Sequence, residues 1–135
     1  MKKLLFASVF ILIVGINHAQ TLEKGNLVIT EPISYELQPS FTDSQLMAFI
    51  TNTYIPEREK IELGSKIYLL KADSDGQENG FIIVIVWESE EIYNSNRISV
   101  QDQNRERIKA YLSLNEEINN IAKLQSLDTQ RWIIQ

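Results

Sequence analysis

The sequence contains no cysteine, and its single histidine, His18, lies in a leader-like N-terminal stretch. Each absence closes a class of chemistry. Without cysteine there is no disulfide framework, no thiolate nucleophile and no lipid-anchored N-terminal Cys. Once His18 is removed with the leader, the chain cannot assemble a Ser-His-Asp or Cys-His relay, and it cannot ligate haem or a metal through imidazole. No metal site and no cofactor is therefore expected. Carboxylates, Tyr, Lys and Arg remain as acid–base groups, with backbone, Asn and Trp as binding groups.

Basic charge and long apolar runs are also scarce. The 13 Lys and Arg face 18 Asp and Glu. Removing Lys2 and Lys3 with the leader leaves 11 basic residues against those 18. Nucleic acid and anionic membrane surfaces are poor partners for such a balance. No apolar run reaches the ~20 residues that a membrane span needs. The longest, Leu4 to Ile16, follows the basic Met1-Lys2-Lys3 and precedes Asn17-His18-Ala19. This is the layout of a secretory signal peptide over residues 1–19. The mature chain, 135 residues less 19, is expected outside the cytoplasm, periplasmic or secreted, and has room for one domain over residues 27–135. Residues 20–26 form a polar lead-in.

The other apolar run is Phe81-Ile82-Ile83-Val84-Ile85-Val86-Trp87, which reads as a central strand. Phe81, Ile83, Ile85 and Trp87 point one way and Ile82, Val84 and Val86 the other, so both faces ask for cover. One layer of helices covers one face. A second copy of the same sheet is the expected cover for the other, making the chain a homodimer.

The remaining elements follow from periodicity and punctuation. Leu27, Ile29, Ile33, Tyr35 and Leu37 share one parity of strand one, which Pro32 interrupts; a proline there implies a bulge, a bend or a stretch lacking a neighbour on its N–H side. Thr42-Asp43-Ser44-Gln45 predicts a capping box for helix one, whose stripe is Leu46, Met47, Phe49, Ile50 and Tyr54. Pro56 either ends that helix or starts a short second one through Ile61. Leu63-Gly64-Ser65 supplies the stop before strand two, Lys66 to Ala72. Asp73 to Gly80 is a turn; its spacing fails that of a calcium loop. Trp87 to Tyr93 makes a polar step. Ser99 and Asp102 offer another capping box for helix two, expected from about Val100 to about Gln125 with Ile108, Tyr111, Leu112, Leu114, Ile118, Ile121 and Ala122 inward. Arg131 to Gln135 is a terminal strand.

The order β-α-β-β-α-β, with right-handed crossovers, gives an α+β ferredoxin-like fold. Its four-stranded antiparallel sheet carries two helices on one face, and dimerisation buries the other. The residues Tyr54-Ile55-Pro56-Glu57, then Gly64, then Gly80 through Glu91 resemble the dimeric α/β-barrel superfamily, in particular antibiotic-biosynthesis-monooxygenase-like domains. The resemblance implies face-to-face pairing of sheets. Members that degrade haem use a histidine, absent here, so that activity is disfavoured. Cofactor-free oxygenases of the group depend on polar pocket residues, and only Trp87 sits on the matching motif. An export signal is atypical of the small cytoplasmic enzymes in the superfamily.

Trp87 ends the central strand, where an indole can wall an aromatic or apolar ligand. Tyr35, Tyr54, Tyr68 and Tyr93 are the further ligand-binding candidates, although a tyrosine in a strand or at a helix end usually packs its ring and wets its hydroxyl. No catalytic residue can be assigned. Glu88, Glu90 and Glu91 read as a solvated cluster, since nothing separates their pKa values. Arg97, Arg105 and Arg107 could meet an anion or sit in solvent. The leading expectation is an exported domain that binds a small apolar ligand or serves a non-catalytic role. The alternatives are a cofactor-independent monooxygenase or isomerase and an envelope protein-interaction module.

Overall fold

The computed structural model describes residues 21–71, 79–97 and 104–135. The signal peptide, the turn and excluded calcium loop after Ala72, and the Ser99–Asp102 capping box with a helix start at Val100 lie outside the described residues.

Strand β1, Leu27–Leu37, has the predicted parity. It pairs antiparallel with β3, Gly80–Trp87, from Leu27↔Trp87 to Ser34↔Gly80. Strand β2, Ser65–Leu70, lies on the far side of β3, so the two apolar strands occupy the middle as expected. On the other side of β1 lie β4, Ala122–Ser126, and β5, Gln130–Ile133. The predicted terminal strand is β5, while β4 occupies residues that the sequence assigns mostly to the end of helix two, so among the described residues the sheet has five strands. Pro32 explains the break. Residues 27–30 of β1 pair with β5 and residues 33–37 with β4. The Pro32 carbonyl accepts from Leu127 N at 2.8 Å, so its ring nitrogen faces the same gap, where no ladder donor is required.

The first helical unit runs from Asp43 to Ile61 in three parts. Helix α1, Asp43–Phe49, carries the predicted capping box: Gln45 N donates to Thr42 Oγ1 at 3.3 Å and Thr42 N to Gln45 Oε1 at 2.8 Å. A π-helical turn over Ile50–Tyr54 follows, then α2, Ile55–Ile61, with Pro56 in its first turn. The second reading of Pro56 therefore holds. The wide turn has two causes. Proline's ring crowds the carbonyl four residues back, which a longer i→i+5 loop relieves. The inward residues Leu46, Ile50, Tyr54 and Arg58 are also spaced by four, a spacing that drifts about 40° per step in a pure α-helix and is brought back by the wider turn.

Helix α3, Glu90–Asn96, is the polar step after β3, capped by Ser89 Oγ accepting from Ile92 N at 3.1 Å. Helix α4, Arg105–Asn119, is capped by Asn104 and buries Leu114 and Ile118. Two expectations need correction here. Among the described residues the helical units number three, not two, and the last helix stops at Asn119 rather than Gln125. The paired Asn119 and Asn120 are weak helix formers, and Ala122 and Leu124 satisfy a strand alternation against β1. Leu112 is 60% exposed. It stands about 120° around the axis from Ile118, outside the arc that meets the sheet.

The core lies between the helices and one sheet face, where Phe81, Ile83, Ile85 and Trp87 are all buried. On the other face Val86 is buried, Val84 is half-buried and Ile82 is exposed. Among the described residues no helix is long and apolar enough to cross a membrane.

Candidate functional site

A cavity of about 260 Å³ opens between the helices and the inner sheet face. Every layer contributes to it: Ile29 and Glu31 from β1, Ile85 and Trp87 from β3, and Arg58 and Glu62 from α2 and its cap. Tyr93 and Arg97 come from α3 and its cap, Tyr111 from α4, and Thr129 and Arg131 from the break and β5. The break opposite Pro32 therefore matters for the site. It ends β4 and lets β5 bring Arg131 in beside its partner Ile29, on the helix side.

The inner end of the cavity holds a charged cluster. Arg58 is almost fully buried, and its Nε donates to Glu62 Oε2 at 2.6 Å. Its two terminal nitrogens reach Glu31, Nη1 to Oε2 at 3.1 Å and Nη2 to Oε1 at 3.4 Å. Burial alone would lower the arginine's pKa. The neighbouring Glu62 carboxylate, with Glu31, more than reverses that and holds the guanidinium charged. Tyr54 lies beside the cluster. Burial pushes its phenol up to about 12, against the pull of Arg58.

The outer end is aromatic and cationic. Tyr93 stands edge-on to Trp87 with ring centroids 5.4 Å apart. The guanidinium carbons of Arg97 and Arg131 lie 5.3 and 5.2 Å from the Tyr93 centroid. Arg131 also pairs with Glu90. Trp87 is 1% exposed, and its indole Nε1 is buried with no hydrogen-bond partner among the described residues. Such an orphaned donor costs about 1–3 kcal/mol. No group of three or more His, Cys, Asp or Glu among the described residues converges to hold a metal ion.

The five aromatic candidates separate. Trp87 and Tyr93 line this cavity, and Tyr54 lies just behind it. Tyr35 lies at the other end of the sheet, against Phe81 and hydrogen-bonded to Asp43, on a second cavity of about 310 Å³. Tyr68 pairs with Val84 and so occupies the face away from the helices. Glu88, Glu90 and Glu91 are exposed. Arg107 donates to the Ile61 carbonyl at 3.1 Å and also to that of Asn96, tying α4 to the ends of α2 and α3. Arg105 is exposed, and Arg97 alone of the three lines the cavity.

Sequence reasoning missed Glu31, Arg58, Glu62, Tyr111 and Arg131. Two of them carried a legible signal. Glu31 occupies the buried parity of strand one, between Ile29 and Ile33. Arg58 continues the stripe of Ile50 and Tyr54 at the same four-residue step. A charge on an inward position has to be paired.

No protein-family model matches the sequence, and no curated protein matches it at a significant level. Solved structures do match. SnoaB, a cofactor-independent oxygenase from Streptomyces nogalater, aligns with a TM-score of 0.52 at 6% identity, over 82% of this chain and 94% of that one. A protein from Bacteroides thetaiotaomicron provisionally classed as an antibiotic biosynthesis monooxygenase aligns at 0.44 and 15% identity, over 77% and 87%. A dimeric ferredoxin-like protein of unknown function from Thermobifida fusca aligns at 0.42 and 11%, over 87% and 100%. At these identities the likeness is one of fold. The chain has a ferredoxin-like α+β fold, similar to that of SnoaB.

Proposed function

We propose that the chain is a cofactor-independent oxygenase acting on a small hydroxyaromatic compound held between the sheet and the helices. The observation that carries this reading is the cluster of Arg58, Glu31 and Glu62 beneath an aromatic-walled cavity. Folding does not ask for it. Buried ion pairs are often replaceable by apolar side chains at no loss of stability, so their retention here points to work on a ligand. The shared fold with SnoaB supports the same class.

The chemistry needs neither histidine nor cysteine. A deprotonated hydroxyaromatic is electron-rich enough to reduce O2 itself, so the protein has to supply a proton acceptor, dry walls and a fixed positive charge. Glu31, whose side chain is 24% exposed against 8% for Glu62, is the proton acceptor. The Arg58 guanidinium steadies the substrate anion and the reduced oxygen. Trp87, Tyr93 and Tyr111 wall the ring. The test is oxygen uptake with 1,4-dihydroxynaphthalene by purified, flavin- and metal-free protein. A protein-dependent rate that falls at least about a hundredfold in Glu31→Gln is expected. Uptake no faster than in protein-free buffer overturns the reading.

One contact favours a second reading, binding without turnover. Both oxygens of Glu31 already accept from Arg58, so neither is free of a partner before a substrate arrives. Ligand binding without oxygen uptake is its signature.

Export and self-pairing belong to the same proposal. The Lys-Lys and apolar stretch of residues 1–16 supports a cleaved leader, and a mature N-terminus near Gln20 in extracytoplasmic material is expected. Pairing is supported by the open sheet face, where Tyr68, Leu70, Ile82, Val84 and Trp132 stand together.

A further inference from the structure

We propose that the cavity selects aromatic acids, with the ligand's carboxylate held at the mouth by Arg97 and Arg131 and its hydroxyl turned inward toward Glu31. This deepens the reading of the cavity as the substrate site and rests on it. The argument begins with the distribution of charge along the cavity. At the inner end one guanidinium, Arg58, faces two carboxylates, so the sign there is negative. At the mouth two guanidiniums, Arg97 and Arg131, share a single aromatic ring, and the sign is positive. Glu90 compensates Arg131. Arg97 meets no carboxylate among the described residues.

Two like charges over one ring repel each other, and the ring's quadrupole offsets only a small part of that. In a chain with 18 acidic and 13 basic residues, acids to quench them are plentiful. With no carboxylate against Arg97 among the described residues, the mouth favours an incoming anion. A guanidinium presents a planar fork that matches a carboxylate. The geometry also fixes where the rest of the ligand goes. Both cations lie over Tyr93, and Tyr93 stands on Trp87, so a flat ring lodged against these aromatics is already within reach of the forks. The negative inner end repels a carboxylate, which therefore points outward. It accepts a neutral hydroxyl, which donates to Glu31. A volume of about 260 Å³ suits one or two fused rings.

The probes are 6-hydroxy-2-naphthoate and its methyl ester, which share ring and hydroxyl and differ in the charge. Binding to the mature protein is measured by isothermal titration near neutral pH at low salt. The acid is expected to bind at least about tenfold tighter than the ester, the effect of roughly one charge-assisted hydrogen bond. In Arg97→Gln the acid loses far more affinity than the ester does, and the preference falls to within about threefold. Arg105→Gln, on the exposed side of α4, keeps the wild-type preference. Added salt narrows the preference, because the mouth faces water.

Equal affinity for acid and ester overturns the proposal, as does a preference that Arg97→Gln leaves intact. If neither probe binds, the cavity reading falls with it. If the acid is preferred but no oxygen is consumed in its presence, the selectivity stands and the oxygenase reading alone fails.

Discussion

Arg58 and Glu31 meet fork to fork across the interior, Nη1 to Oε2 at 3.1 Å and Nη2 to Oε1 at 3.4 Å, joining the last turn of the first helical unit to the middle of β1. Glu62 closes the arrangement from the end of the same helix. Arg58→Ala leaves two carboxylates facing each other with their counter-charge gone. A loss of about 3–5 kcal/mol is expected in urea unfolding. The triple change Arg58→Met, Glu31→Leu and Glu62→Leu removes every charge together and should return to within about 2 kcal/mol of wild type. It should nevertheless lose both ligand binding and oxygen uptake. Recovery of stability with retained activity would show that the cluster does nothing for the substrate.

Tyr54 adds a pH dependence on the alkaline side. Its phenol is pushed from 10.0 up to about 12 by burial, so the folded state prefers the neutral form. The stabilisation is whole below about pH 10, where the unfolded chain also keeps its proton, and drains away as pH rises from there through about 12. Roughly two pKa units correspond to about 2–3 kcal/mol. The comparison is with Tyr54→Phe, which isolates this one phenol and whose stability should fall less steeply between pH 10 and 12. A spectrophotometric titration of wild type should show one phenol ionising late. Identical slopes for the two proteins would remove this account.

Gly64 sits between α2 and β2 with φ +87°, and a Cβ placed there would lie 2.4 Å from Ile92 Cγ2. Its carbonyl accepts from Glu88 N at 3.1 Å, so the turn cannot swing away freely. Gly64→Ala is expected to cost about 1–3 kcal/mol from backbone strain, with the clash added. Adding Ile92→Ala should restore only the part due to the clash. Full restoration by the second change would mean that the backbone carries no strain.

How much of this was legible in the sequence depended on whether a local rule was strong enough to decide. The seven-residue apolar run could only be a central strand, and the Thr42–Gln45 box could only open a helix. Pro32 announced a gap in pairing, and the break between β4 and β5 fills that description. The end of the last helix was harder. Leu124 and Leu127 fall off the stripe, yet placing Leu124 in a strand needs β1's free edge, a partner nearly ninety residues away. The site was harder still, because a cavity is made by elements remote in sequence. Trp87 and Tyr93 were accessible as the aromatic end of a motif. Arg131 joins them only through the register Ile29↔Arg131, which no periodicity announces.

The two tryptophans should report separately on the site and the surface. Trp87 is 1% exposed and Trp132 43%. In a protein made monomeric by Ile82→Glu, iodide should quench Trp132 while leaving the Trp87 emission, and adding Trp132→Phe should leave only a weak response to iodide. An aromatic ligand entering the cavity should do the reverse and quench Trp87 in that same variant. If ligand quenching disappears with Trp132 rather than with Trp87, the binding site lies on the outer sheet face.

The outer face leads to the last expectation. Cross-strand partners share a face, which places Ile82 with Leu70 and Pro32, Val84 with Tyr68 and Thr30, and Val86 with Val28 and Trp132. Ile82 and Trp132 are exposed at 37% and 43%, while their neighbours toward Val86 are shielded. A specific interface buries about 800 Å² on each partner, an area that a flat face four strands wide can supply. Light scattering on the mature protein should therefore give twice the chain mass. Ile82→Glu puts a charge at the centre of that face, where an unpaired carboxylate is costly, and should yield a folded monomer whose far-ultraviolet circular dichroism is unchanged. A wild-type monomer that does not bind a hydrophobic dye would show that this face is content in water, and the exposed Ile82 and Trp132 would then be ordinary surface residues.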